Sequence, residues 1–140
     1  MRLIDRITLT PRRRHADERG WFLKVIDGGE AEIPPHTGEV YLTMAVPGQA
    51  RGNHYHPETD EWFTIVTGSA LLLVEDPANG DRAEFRLSAA DPQTVYMPAG
   101  LAHVFVNPAE AEEDFLLIAY AANRYDPADT VPFAVWPRAS

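Results

Sequence analysis

The run Arg51-Gly52-Asn53-His54-Tyr55-His56 places two histidines at alternate positions, and a carboxylate, Glu61, follows five residues after the second. Side chains along an extended strand alternate between its two faces, so His54 and His56 share one face. Pro57-Glu58-Thr59-Asp60 has the composition of a turn. Glu61 therefore opens a returning strand, and the expected unit is a hairpin whose first inward position meets both imidazoles. A fourth candidate lies further along the chain, where Pro98-Ala99-Gly100 forms a tight turn just before His103. A lone strand histidine is usually a structural residue. Three imidazoles and a carboxylate drawn from two such segments instead form a donor set for one divalent ion of the first transition row. Zinc, iron, manganese and nickel all suit this donor set. The chain has no cysteine, which excludes disulfides, thiol catalysis and zinc-thiolate sites.

The elements that must position these groups read as strands. Ile7–Leu9, Trp21–Val25, Val40–Ala45, Trp62–Val66 and Ala70–Val74 are rich in β-branched, aromatic and aliphatic residues, as are Glu84–Leu87, Thr94–Met97, His103–Val106 and Phe115–Tyr120. No segment sustains a helical period. Gly68-Ser69, the Asn79-Gly80 dipeptide and Pro98-Ala99-Gly100 punctuate the series with turns. Many short strands with regular turns predict an all-β fold, for which a jelly roll is one solution. At 140 residues the expectation is one domain spanning 1–140, with a core of about 38–121. The proline-rich stretch from Tyr125 to Pro137 reads as an irregular arm, of a kind that in small β-domains often crosses to a partner subunit.

The formal charge of −9 argues against a nucleic-acid partner, which would need basic surface to displace phosphate counterions. The one basic run, Arg12-Arg13-Arg14-His15, reads as a solvated loop. No apolar run reaches transmembrane length, and Met1-Arg2-Leu3-Ile4-Asp5-Arg6 interrupts hydrophobicity with charge at once. The expectations are therefore no membrane partner and a cytoplasmic location.

Gly48-x5-His54-x-His56-x4-Glu61-x6-Gly68 resembles the first motif of the cupins, and Pro98-x-Gly100-x2-His103-x3-Asn107 resembles the second, with Pro92 where that motif usually opens on glycine. The resemblance implies a cupin jelly roll, a double-stranded β-helix. Asp17-Glu18-Arg19-Gly20-Trp21-Phe22, Arg51-Gly52-Asn53-His54-Tyr55 and Tyr125-Asp126-Pro127 further resemble motifs of the dTDP-4-keto-6-deoxysugar 3,5-epimerases, which are cupin dimers. That likeness implies a homodimer and a nucleotide-sugar substrate, with Arg19 at the diphosphate and Arg51 near the sugar. Strict alternation would send Arg51 to the face opposite His54, but a bulge at Gly52 would re-aim it.

The departures from those epimerases are informative. They are metal-free, use the histidine at the His54 position as base, and carry glutamine and, approximately, lysine where this chain has His56 and Glu61. Their acid tyrosine aligns near Ala119, with Tyr120 on the other face. The run Ala122-Asn123-Arg124-Tyr125-Asp126-Pro127 and the His54-x-His56 segment resemble more closely the zinc-binding cupin domain at the carboxyl end of capsular-polysaccharide enzymes. What this implies is metal-dependent proton exchange at C3, or at C3 and C5, of a nucleotide-linked 4-keto-deoxysugar in polysaccharide or deoxysugar biosynthesis. A nitrogen of His54 that binds metal cannot also accept a carbon-bound proton, so His54 is a catalytic candidate only if it is not a ligand. Tyr125 is the first candidate acid. The alternatives are a metal-dependent dioxygenase or decarboxylase acting on a small molecule, 3,4-ketoisomerisation of the same substrate class, and a sugar-binding cupin without catalysis.

Overall fold

The computed structural model of the chain describes residues 1–18, 20–26, 28–36 and 38–137, without the side chains of residues 20–22. Its strands are β1 (Thr8–Pro11), β2 (Arg14–Asp17), β3 (Gly20–Leu23), β4 (Glu39–Ala45), β5 (Ala50–Tyr55) and β6 (Glu61–Thr67). They continue with β7 (Ser69–Glu75), β8 (Arg82–Ser88), β9 (Gln93–Met97), β10 (Ala102–Val106), β11 (Phe115–Ala121) and β12 (Val131–Pro132). One antiparallel sheet runs β1-β9-β6-β11-β4 and the other β12-β5-β10-β7-β8, while β2 and β3 pair separately. The result is an all-β jelly roll with the cupin fold.

Alternation along the strands creates the core between the two sheets. On β6, Phe63 and Ile65 point inward, as do Phe115 and Leu117 on β11 and Leu72 and Val74 on β7. The outer face of the second sheet has its own small cluster, in which Val135 covers Val104 and Val106.

β5 and β6 do not form the expected hairpin. β5 bonds to β10 and β12, whereas β6 bonds to β9 and β11 in the opposite sheet. Residues 57–60 do turn the chain, but they carry it from one sheet to the other. The two imidazoles and Glu61 therefore face one another through the interior rather than along a ladder. The turn before His103 does the same, leading from β9 in the first sheet to β10 in the second. Asn79-Gly80, by contrast, closes a true hairpin between β7 and β8.

One other expectation changes. Arg12 and Arg14 are tied down rather than solvated, while Arg13 is exposed: the Arg12 guanidinium is largely buried and donates to Glu30 and to Thr94 Oγ1, Arg14 lies in β2, and its guanidinium donates to the Ala89 carbonyl. The C-terminal arm folds onto its own chain, because β12 pairs with β5 and Asn53 clasps the residues just past β12. The Asn53 side chain accepts hydrogen bonds from the amides of Val135 and Trp136 and donates to the Trp136 carbonyl.

The single residue Gly68 joins β6 to β7 across the sheets with φ +75°. A Cβ there would lie 2.3 Å from the Asp114 carbonyl oxygen. Gly80 has a similar φ of +80° but open space around it. Gly80→Ala should thus lose only the left-handed penalty, about 1–2 kcal/mol, while Gly68→Ala adds a steric cost of about 1–3 kcal/mol. Urea denaturation of both variants checks this order.

Candidate functional site

His103 on β10 sits directly opposite His54 on β5 in the ladder, so their side chains emerge on the same inward face. His56 follows just past the end of β5, and Glu61 opens β6 from the other sheet. The three imidazoles each present a nitrogen within 4.8 Å of the others. Glu61 Oε1 lies 3.2 Å from His56 Nε2 and 3.6 Å from His103 Nε2. All four residues expected to share a site are thus brought together.

The hydrogen bonds fix which ring atoms face inward. His56 Nδ1 lies 2.9 Å from the Asp129 carbonyl and His103 Nδ1 3.0 Å from the Leu101 carbonyl. A carbonyl only accepts, so each Nδ1 carries a proton, and in the neutral form of each ring Nε2 turns its lone pair toward Glu61. Glu61 Oε1 is buried and accepts no hydrogen bond, although its Oε2 accepts one from Tyr41 Oη at 2.7 Å. Lone pairs thus converge from three directions on one point without an intervening donor. The donor set fits a cation.

The titration behaviour follows from this arrangement. Burial would raise Glu61, but the adjoining His56, the nearby His103 and the Tyr41 hydroxyl outweigh it and lower the carboxyl. Burial would lower His56, but the adjoining Glu61 and the Asp129 carbonyl raise it on balance. His103 is lowered, chiefly by burial. His54 falls to about 4, through burial first and then the neighbouring imidazoles. Burial and Glu61 push Tyr41 well up, so it remains a phenol and a donor.

The cluster opens on two cavities. One, of about 460 Å³, is lined by Tyr41, His54, His56, Glu61, Arg124 and Tyr125 among others. The other, of about 320 Å³, is lined by Tyr41, His54, His103, Phe63, Phe105 and Arg51 among others. Arg51 reaches this inward side because β5 is bulged: Val104 pairs with Gly52 and His103 with His54, leaving Asn53 as the extra residue at φ +60°. The Arg51 Nε donates to the Met44 carbonyl at 2.6 Å. Arg19 lies outside the described residues.

Tyr41 holds Glu61, Tyr96 donates to Asp60, Tyr120 donates to the His36 carbonyl, and Tyr55 packs on Phe133. Tyr125, exposed at the rim of the larger cavity, forms no hydrogen bond among the described residues. Ala119, where the metal-free epimerases carry their acid, is buried in the core. Two partners escaped the sequence. Tyr41 lies on a strand distant from the motif, and Asp129 acts through a backbone carbonyl, which leaves no compositional trace.

A family model described as the polysaccharide biosynthesis C-terminal domain matches residues 15–132. The chain belongs to this family. Among its relatives, a protein of Haloferax volcanii described as a "probable low-salt glycan biosynthesis epimerase", Agl13, is 31% identical over 82% of this chain and 76% of its own length. The capsular polysaccharide assembling protein CapF of Staphylococcus aureus is 26% identical and superposes with a TM-score of 0.66 over 89% of this chain. The match spans only 35% of the CapF chain. ChmJ, a 3'-monoepimerase from Streptomyces bikiniensis whose structure holds dTDP-quinovose, shares the fold, with a TM-score of 0.76 at 23% identity over 89% of this chain and 67% of its own.

In chelator-treated protein, the His54 C2 proton should report charging only near pH 4 by NMR, not at the ordinary 6.5. The unfolded chain binds that proton first as pH falls. The contribution of His54 to folding stability should therefore be present above 6.5 and decline between 6.5 and about 4, as measured by denaturation across that window.

Proposed function

We propose that this member of the polysaccharide biosynthesis family is a metal-dependent enzyme that epimerises a nucleotide-linked 4-keto-deoxysugar at C3 by proton exchange beside the ketone. The convergence of His56 Nε2, His103 Nε2 and the unpartnered Glu61 Oε1 on one point beside two cavities carries this reading. The fold shared with ChmJ and the likeness to Agl13 support the substrate class and the type of reaction.

His54, His56, Glu61 and His103 would hold the ion. Nitrogen and oxygen donors suit zinc, the metal we propose, and iron, manganese or nickel can use the same set. When bound, a divalent cation supplies Lewis acidity that polarises a carbonyl. Its ligands cannot double as the base, so His54 serves the cation. Tyr125 then remains the phenol on the larger cavity whose hydroxyl is not engaged elsewhere, and we assign it the acid role, donating a proton to one face of C3 after the original C3 proton has left from the opposite face to a solvent base. Tyr41 keeps its proton on Glu61 and fixes that carboxylate. Arg51, turned inward by the bulge, is assigned to the sugar end of the substrate, and Arg19 is proposed to hold the diphosphate. A nucleotide-sugar substrate is consistent with a cytoplasmic site of action; no helix among the described residues is long and apolar enough to cross a membrane.

The test uses dTDP- and UDP-linked 4-keto-6-deoxyhexoses in D₂O with zinc-loaded protein, followed by NMR. Deuterium should enter at C3 with inversion. Tyr125→Phe should slow it by about 10²–10⁴-fold, and Glu61→Gln should weaken zinc binding at least about 10-fold. No exchange above the buffer rate sinks the reading, oxygen uptake by an iron-loaded form replaces it with a dioxygenase, and migration of the oxo group points to ketoisomerisation.

A homodimer is also proposed. Val40, Leu42 and Met44 alternate along the edge strand β4 and are 65%, 61% and 37% exposed, an apolar stripe suited to a second copy. Light scattering should give twice the 15.6 kDa chain mass, and Leu42→Glu should reduce it to the monomer.

A further inference from the structure

The C-terminal arm reaches the ligand cluster at one point. Asp126 caps a short 3₁₀ turn, Pro127–Asp129, by accepting from the Ala128 amide at 2.9 Å. The turn ends on Asp129, and all three acceptor groups of that residue are used on the segment between His56 and Glu61. Its Oδ1 accepts from the Glu58 amide at 2.8 Å, its Oδ2 accepts from the Thr59 hydroxyl, and its carbonyl accepts from His56 Nδ1 at 2.9 Å. Thr59 in turn is fixed from the other side by the Asn123 amide. The next residue, Thr130, brings its hydroxyl to 3.3 Å from the same His56 nitrogen.

Beyond this point the arm is secured by β12 on β5, by the Phe133 amide donating to the Asn53 carbonyl, and by the Asn53 side chain. Arg82 adds a bond to the Val135 carbonyl at 2.9 Å. The two side-chain bonds of Asp129 hold its carbonyl in line with the His56 ring, and that carbonyl sets which nitrogen of His56 bears the proton. Donation from the far nitrogen to a fixed acceptor orients an imidazole ligand and raises its basicity.

We propose that Asp129 is a positioning residue for the metal centre, acting through His56, so that the docked arm and the bound ion stabilise one another. This rests on the metal-dependent reading of the site. Coupling of this kind is reciprocal: if the arm improves the affinity for the ion, the ion must improve the docking of the arm by the same factor.

The experiment measures zinc affinity by chelator competition for the unaltered protein, Asp129→Ala, Asp129→Asn and Glu61→Gln. Amide hydrogen exchange at Phe133, Val135 and Trp136 and the ¹⁵N signature of the His56 tautomer are monitored alongside. Asp129→Ala should weaken zinc about 10–100-fold, with the melting temperature of the zinc-free protein little changed and the His56 tautomer no longer uniform. Asp129→Asn keeps an acceptor for the Glu58 amide and should recover part of the affinity; it decides the matter if the alanine variant fails to fold. Zinc should slow exchange at the three arm amides in the unaltered protein and lose that effect in Asp129→Ala. If both Asp129 variants bind zinc like the unaltered protein while Glu61→Gln does not, the positioning role is wrong and the metal site stands. If the unaltered protein binds no zinc, both are overturned.

Discussion

Three lone pairs aimed at one buried point are the constraint around which the molecule is arranged. Two imidazole nitrogens and a carboxylate oxygen, each turned inward by a bond on its far side, repel one another unless a positive charge sits between them. A proton shared by His56 and Glu61 meets that need in part, and a divalent ion meets it for all the donors at once. Each outer bond is therefore as consequential as the inner ones: Tyr41 on Glu61, the Leu101 carbonyl on His103, and the Asp129 carbonyl on His56.

The two-sheet architecture makes this convergence possible. Facing sheets lie roughly 10 Å apart, a gap that side chains from both inner faces can fill. His54 and His103 rise from neighbouring strands of one sheet, and Glu61 comes from the other. Phe63 and Phe105 close the interior beside them, with ring centroids 4.8 Å apart. Burial on that side deprives the polar groups of water, while the cavities on the other side leave room for a ligand.

The clustering of the four residues was legible because each motif is local: a period-two pair, a turn, a carboxylate, and a second turn before a histidine. Which sheet each strand joins was not, since Pro57 to Asp60 announces a change of direction without saying whether the partner lies alongside or across. The bulge could be anticipated from Gly52, and the extra residue proves to be Asn53, one of the few residue types that tolerate a left-handed conformation. Arg12 read as solvated because nothing near it in the sequence balances its charge. Glu30 does so from a separate segment. Long-range pairings of this sort, like the grip of the arm on His56, belong to the folded topology and not to any window of residues.

The bulge makes β5 a strand of two phases. Up to Arg51 the inward residues follow one parity, and from His54 onward they follow the other, so the cation that faces the cavity and the imidazoles that line it are in register only because one residue has been looped out. That looped residue is the one that grips the arm. A single inserted position thereby serves as a clutch between the polar lining of the interior and the covering of the outer face, and a change at Asn53 disturbs both surfaces of this sheet at once.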